Sequence, residues 1–171
     1  HAHVDWAVDP RYVELLDLVE SLDRRIPLDS RAGARHVWRT IRDLRAARYD
    51  AVIDLQGLLK SAVIARAAGG GRTVGFPRAH LREPAAAVFY TDRPDPGPDA
   101  HVIHKNLGLL EPFDVRDRHV RFPIRIEQTP VVTSVTGRLG SGRYAILNPG
   151  AAWPNKRWPP ARFGALAAAL Q

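Results

Sequence analysis

Tyr49-Asp50-Ala51-Val52-Ile53-Asp54-Leu55-Gln56-Gly57-Leu58-Leu59-Lys60-Ser61 is the stretch that decides the fold. Its first seven residues are nearly continuously apolar at their centre, as in a strand buried on both faces. Gln56-Gly57 turns the strand into a helix holding Leu58, Leu59, Ala62, Val63, Ile64 and Ala67. Gly69-Gly70-Gly71 stops that helix, and Arg72-Thr73-Val74-Gly75-Phe76 reads as another strand. Strand, helix, strand with short connections is a βαβ unit, so the pattern predicts an α/β fold with a largely parallel sheet.

Outward from this unit the alternation continues. Residues 4–8 read as a strand, and residues 12–22 carry apolar side chains at helical spacing. Residues 26–28 are extended, because Pro27 biases its predecessor away from helix. Residues 33–47 read as a helix with Val37, Trp38, Ile41 and Leu44 on one face and Arg35, Arg39, Arg42 and Arg45 around the other. On the carboxyl side, 84–90 forms a short apolar helix, the Pro-rich 93–98 a surface connection, 101–110 a helix, 120–126 an extended segment and 129–139 a helix. Gly140-Ser141-Gly142 precedes a fresh strand at 144–147, which divides the chain into a first domain, 1–140, and the start of a second, 141–171.

Composition narrows the class. Within 171 residues, 25 Lys+Arg against 18 Asp+Glu leave a net charge of +7, which favours anionic partners such as phosphorylated glycans, nucleotides, nucleic acid or an acidic membrane face. A GC-rich genome's Arg usage accounts for the same balance. The lysines are Lys60, Lys105 and Lys156. There is no Cys, so disulfides and thiolate metal sites are excluded, and no apolar run approaches the roughly 20 residues that span a bilayer.

The second informative stretch is Asn148-Pro149-Gly150-Ala151-Ala152-Trp153-Pro154-Asn155-Lys156-Arg157-Trp158-Pro159-Pro160. It follows the strand expected at 144–147, and ligands of open α/β sheets bind at the carboxyl ends of strands. Small residues at Gly150 and Ala151 leave room for an anion to meet main-chain N–H groups, and Lys156 supplies a mobile positive charge. The alternative is an ordinary loop in which Trp153 and Trp158 pack and both cations are solvated. At the first turn, Gln56, the N–H groups after Gly57 and Lys60 can bind sugar hydroxyls or phosphate, or Asp54 merely caps the helix. Arg82 can grip a carboxylate or phosphate bidentately, or pair with Glu83 at the surface. His101 and His104 share a helical face without a third metal ligand nearby in sequence. No Gly-x-Ser-x-Gly, Walker A or Gly-x-Gly-x-x-Gly occurs, so dinucleotide redox chemistry lacks its fingerprint.

Taken in order, the Asp54-Leu-Gln56-Gly57-Leu-Leu-Lys60-Ser61 core, Arg82-Glu83-Pro84 with Val88-Phe89-Tyr90, and the Asn148-Pro-Gly-Ala…Lys156-Arg-Trp-Pro segment resemble glycosyltransferase family 9, closest to its lipopolysaccharide heptosyltransferase I branch. The resemblance implies a Rossmann-like GT-B architecture: an amino-terminal acceptor domain and a carboxyl-terminal nucleotide-sugar domain. It implies inverting, metal-independent transfer of heptose from ADP-heptose, with no further cofactor, to the Kdo-lipid A inner core. The place of work would be the cytoplasmic face of the inner membrane, with peripheral membrane contact and no nucleic-acid partner.

By the same resemblance Lys156 stabilises the leaving group, and Asn148, Gly150, Ala151 and Ala152 belong with it to the donor turn. Gln56, Gly57, Lys60 and Arg82 belong to the acceptor side. Several heptosyltransferases carry hydroxyl residues where Ala151 and Ala152 stand. The family's opening strand and Gly-Asp turn, whose Asp is the general base, would precede His1, and most of the donor domain would follow Gln171. Alternatives are heptosyltransferase II, another family 9 enzyme with a different sugar, and a non-catalytic α/β module binding anionic glycans or nucleic acid.

Overall fold

A computed structural model describes residues 2–29, 31–97, 100–125, 128–140 and 143–170. The chain divides into two units, His1–Arg125 and Ile126–Gln171. In the first, β1 (Asp5–Val8) is followed by a single turn of helix, α1 (Val13–Leu16), and by β2 (Arg24–Pro27). Strands β1 and β2 pair in parallel, with Asp5 opposite Arg24 and Val8 opposite Pro27. Helix α2 (Ala34–Ala46) leads to β3 (Ala51–Ile53), α3 (Leu59–Ala67) and β4 (Arg72–Val74). Strands β3 and β4 are parallel, with Val52 opposite Thr73. The βαβ unit read from residues 49–76 is therefore present, although the described strands form two separate two-stranded sheets. Tyr49 links them: its hydroxyl donates to Asp5 Oδ2 at 2.6 Å and accepts from Arg24 at 3.1 Å.

The core lies against β4. Val74, Phe76 and Leu109 are buried together with Ile53, Leu81 and Phe113 beside them, while Ala62, Ala86 and Tyr90 form a second cluster flanked by Leu81 and Phe89. Leu81, which follows the 3₁₀ turn Arg78–His80, thus touches both clusters, one of which includes Ala62 of α3. The apolar stretch at 84–90 is a 3₁₀ helix, Pro84–Phe89, and α4 (Val102–Gly108) supplies the edge of the core through Leu109.

Two expectations fail here because side chains meet partners distant in sequence. The helix expected over 12–22 stops at Leu16, because the Arg25 guanidinium takes the carbonyls of Leu16, Val19 and Leu22 at 3.1, 2.8 and 3.3 Å. Val19 meanwhile forms an antiparallel bridge with Ile124. Among the described residues that bridge is the only strand-like pairing of the extended segment expected at 120–126, whose last residue lies outside them. Trp38 also leaves its expected place. Thr40, Ile41 and Leu44 are the buried residues of α2, and at 100° per residue Trp38 lies roughly a third of a turn from the centre of that stripe. It is 68% exposed.

The second unit holds α5 (Pro130–Leu139), begun by the Thr129 hydroxyl accepting the Val132 N–H, and α6 (Pro160–Ala169). Residues 144–147 form no strand, contrary to the sequence reading. A β-strand exists only by pairing, and among the described residues no ladder reaches this stretch; Ile146 is 83% exposed and Tyr144 65%. The turn at 148–160 therefore has a helix behind it and no strand before it among the described residues.

Candidate functional site

In the first unit the site grows from Asp54, buried at the end of β3. Its Oδ1 accepts the N–H groups of Gln56 and Gly57 at 2.9 and 3.2 Å. Its Oδ2 accepts the hydroxyls of Ser61 and Tyr90, both at 2.8 Å. Burial first, and then the carboxylate beside it, push the Tyr90 phenol well above its ordinary pKa, so it remains a donor. Four donors occupy this carboxylate, which makes it the anchor of the turn and leaves it no lone pair for proton abstraction.

The turn's backbone is equally committed. Gly57 has φ +67°, and a Cβ there would stand 2.8 Å from Leu81 Cδ2, so only glycine fits. The Leu58 N–H donates to Ser61 Oγ at 3.2 Å and the Leu59 N–H to Glu83 Oε2 at 2.7 Å. The start of α3 is thus already capped by a carboxylate from the Arg-Glu-Pro segment, and Glu83 makes this bond where a surface pair with Arg82 was the sequence alternative. What remains for a ligand are the exposed side chains of Gln56, Lys60 and Arg82. Lys60 and Arg82 each sit one residue from the Leu59–Glu83 hydrogen bond, so that bond joins two motifs distant in sequence.

Arg82 also lines an open depression of about 560 Å³ with Ala79, His80, Leu81, Asp95 and Lys105. The His80 ring is mostly buried, with Nε2 3.3 Å from Asp95 Oδ1 and Nδ1 3.5 Å from the Lys105 ammonium. His80 thus stands between Asp95 and Lys105. Arg82 and Lys105 make this depression suited to a carboxylate or phosphate. Sequence reading missed His80, Asp95 and Lys105. The available signal was the scarcity of lysine, which makes Lys105 one of three. His101, singled out instead, accepts the Ile103 N–H at 3.3 Å and caps α4. Among the described residues no group of three His, Cys, Asp or Glu could hold a metal ion.

In the second unit, Asn148 Oδ1 accepts the Gly150 N–H at 3.2 Å, which closes an Asx turn. Arg157 Nε donates to the Ala151 carbonyl at 2.8 Å and ties the two ends of the loop together across the 3₁₀ turn Pro154–Lys156. Trp158 stacks edge-on against Phe163 of α6 at 5.1 Å, so this tryptophan packs. No hydrogen bond within the described residues engages the N–H groups of Ala151 and Ala152 or the Lys156 ammonium. Gly150 is open: a Cβ there would have only Asn148 Oδ1 within 4 Å. Among the described residues the loop thus offers free donors and one free cation on a frame fixed by Asn148 and Arg157.

Comparison with known proteins gives a consistent picture. The chain is 27% identical to the lipopolysaccharide heptosyltransferase 1 of Pseudomonas aeruginosa, covering 95% of this chain and 48% of that relative. It is 28% identical to the Salmonella typhimurium protein of the same name, over 93% and 52%. The fold matches the structure of Escherichia coli heptosyltransferase WaaC with ADP-2-deoxy-2-fluoro heptose at a TM-score of 0.71 and 23% identity, over 98% of this chain and 56% of that one. A family 9 glycosyl transferase of Veillonella parvula matches at 0.70 and 21%, over 99% and 51%. The chain spans about half the length of the relatives it matches. The α/β, Rossmann-like reading and the GT-B class agree with these folds. With the profile of glycosyltransferase family 9 (heptosyltransferase) matching residues 37–171, the chain belongs to that family.

Proposed function

We propose that this chain is part of a heptosyltransferase that moves heptose from ADP-heptose to the Kdo-lipid A inner core of lipopolysaccharide with inversion, at the cytoplasmic face of the inner membrane. The observation that carries the reading is the free Lys156 on the loop braced by Asn148–Gly150 and Arg157–Ala151. In an inverting displacement the acceptor hydroxyl attacks the anomeric carbon as the bond to the diphosphate breaks, and a carboxylate takes the hydroxyl proton. Negative charge then grows on the departing ADP. Lys156 and the open N–H groups of Ala151 and Ala152 meet that charge, as preorganised donors do in other transfers, and stabilise it without a metal. With Ala at 151 and 152, main chain replaces the hydroxyls that several heptosyltransferases carry.

The first unit would hold the acceptor. Lys60, Arg82 and Lys105 suit the carboxylates of Kdo, Gln56 suits sugar hydroxyls, and Gly57 gives the turn its shape. Asp54 and Glu83 are both engaged inside the fold, so neither is assigned as the general base. Relatives named for heptosyl transfer, and a matching fold solved with an ADP-heptose analogue, support the donor. The test is incubation of the full-length protein with ADP-heptose and Kdo-lipid A, read by mass spectrometry and by NMR of the new anomeric centre. Addition of one heptose with inversion is expected. No addition by folded protein would refute the reading, and addition from a different nucleotide sugar would move it to another member of the family.

A further inference from the structure

The outer face of α2 carries a pattern that the heptosyl-transfer reading leaves unused. Arg35, Trp38, Arg39, Arg42 and Arg45 are all exposed and occupy one arc of roughly 120° at 100° per residue. Trp38, with 68% of its surface in solvent, stands within this arc. Arg42 lies 3.4 Å from Asp43, an exposed contact of little weight. Arg35, Arg39 and Arg45 have no carboxylate within 4 Å among the described residues. The opposite side of the helix, with Thr40, Ile41 and Leu44, is buried, so α2 is fixed in the fold and its Arg–Trp side faces away from the core.

We propose that this face of α2 docks the protein on an anionic lipid bilayer, with Trp38 at the headgroup level and the arginines on lipid phosphates. The proposal rests on the heptosyl-transfer reading only in that a lipid-linked acceptor gives bilayer contact a use. Charge complementarity selects the occupant. Juxtamembrane basic residues are drawn to anionic leaflets, and tryptophan partitions to the bilayer interface, where its amphipathic ring fits. A lone tryptophan flanked by arginines on a folded helix is a small amphipathic surface of the kind that rests on a membrane without spanning it. No helix among the described residues is long and apolar enough to span one. Single-stranded nucleic acid would also be attracted by charge, but it is held by several aromatic platforms along a groove, and this face has one.

Three unpaired arginines predict binding to phosphatidylglycerol-containing vesicles tighter than to pure phosphatidylcholine by on the order of a hundredfold, falling steeply with salt. In a co-sedimentation assay, Arg35→Gln/Arg39→Gln should abolish most of that preference. Arg116→Gln/Arg138→Gln, which removes equal charge elsewhere, should not. Brominated lipids in the anionic vesicles should quench a fluorescence component that Trp38→Phe removes. The proposal is overturned by any of three results: equal binding to both vesicle types, equal loss in the two double variants, or tighter binding to single-stranded RNA than to anionic vesicles. Self-association that shields Trp38 without lipid also overturns it. Heptose transfer to a delipidated, water-soluble acceptor separates the two readings, since it needs no bilayer. Failure there with vesicle binding intact counts against the activity alone, and the converse counts against the docking face alone.

Discussion

Asp54 is the residue on which the first unit's site depends. All four directions around its carboxylate are used, two for the turn's N–H groups, one for Ser61 and one for Tyr90. Asp54→Asn places an amide NH₂ against groups that are themselves donors, so the loss should be about 2–3 kcal/mol. Urea unfolding monitored by circular dichroism should show a lower midpoint; an unchanged midpoint would remove Asp54 from this role. Lys156 is the opposite case, exposed and unpaired among the described residues. Lys156→Ala should leave the melting temperature unchanged and lower turnover by on the order of a hundredfold, the usual cost of losing one group that meets developing negative charge. Normal turnover in steady-state kinetics would refute its assignment. Asp92 adds a pH dependence. Hydrogen bonds from Arg72, the nearer at 2.6 Å, and then from the Thr91 hydroxyl hold its carboxyl below the ordinary value. The unfolded chain therefore takes up this proton first as pH falls. The contribution is fully present above about pH 4 and is lost as pH drops through the lower folded value. Melting temperatures of the wild type and Asp92→Asn should differ by a constant amount near neutrality and converge in acid.

At the scale of elements, the close approach of Gly75, just after β4, to Tyr90, just after the Pro84–Phe89 turn, sets what the site can tolerate. A Cβ at Gly75 would lie 2.5 Å from the Tyr90 ring, which is held in place by its bond to Asp54. Gly75→Ala should cost about 1–3 kcal/mol, because neither neighbour can yield without breaking another contact. Unfolding by denaturant checks this, and a neutral result would show that Tyr90 is free to move. The same elements show what local sequence conveys. β3, α3 and β4 are legible because a β-branched run, a glycine stop and a second strand follow one another within 30 residues or so of chain, the span of a βαβ unit. The helix over 12–22 is not, because the group that ends it, the Arg25 guanidinium, arrives from the next strand. Trp38 misleads because a large apolar residue beside Val37 looks like core until the helix angle is fixed by Ile41 and Leu44. Residues 144–147 have the composition of a strand, yet pairing is a property of two segments, and one segment's composition cannot supply it. The acidic cap from Glu83 and the His80–Lys105 contact are illegible for a related reason: each joins residues 24 or 25 positions apart.

At the scale of the whole molecule, the two units carry different chemistry. The first sets Arg82 and Lys105 on one depression, with Lys60 next to the Leu59–Glu83 hydrogen bond, and the second holds Lys156 and open N–H groups on a braced loop. We assign the acceptor to the first and the nucleotide sugar to the second. Transfer requires both substrates to be held in attack geometry. The most direct test is a two-substrate kinetic matrix on the full-length protein and its Arg82→Ala and Lys156→Ala variants, varying ADP-heptose against Kdo-lipid A. We expect Arg82→Ala to raise the KM for Kdo-lipid A and leave that for ADP-heptose alone, and Lys156→Ala to impair donor use and leave the acceptor KM alone. A donor defect from Arg82→Ala, or an acceptor defect from Lys156→Ala, would contradict this division of labour.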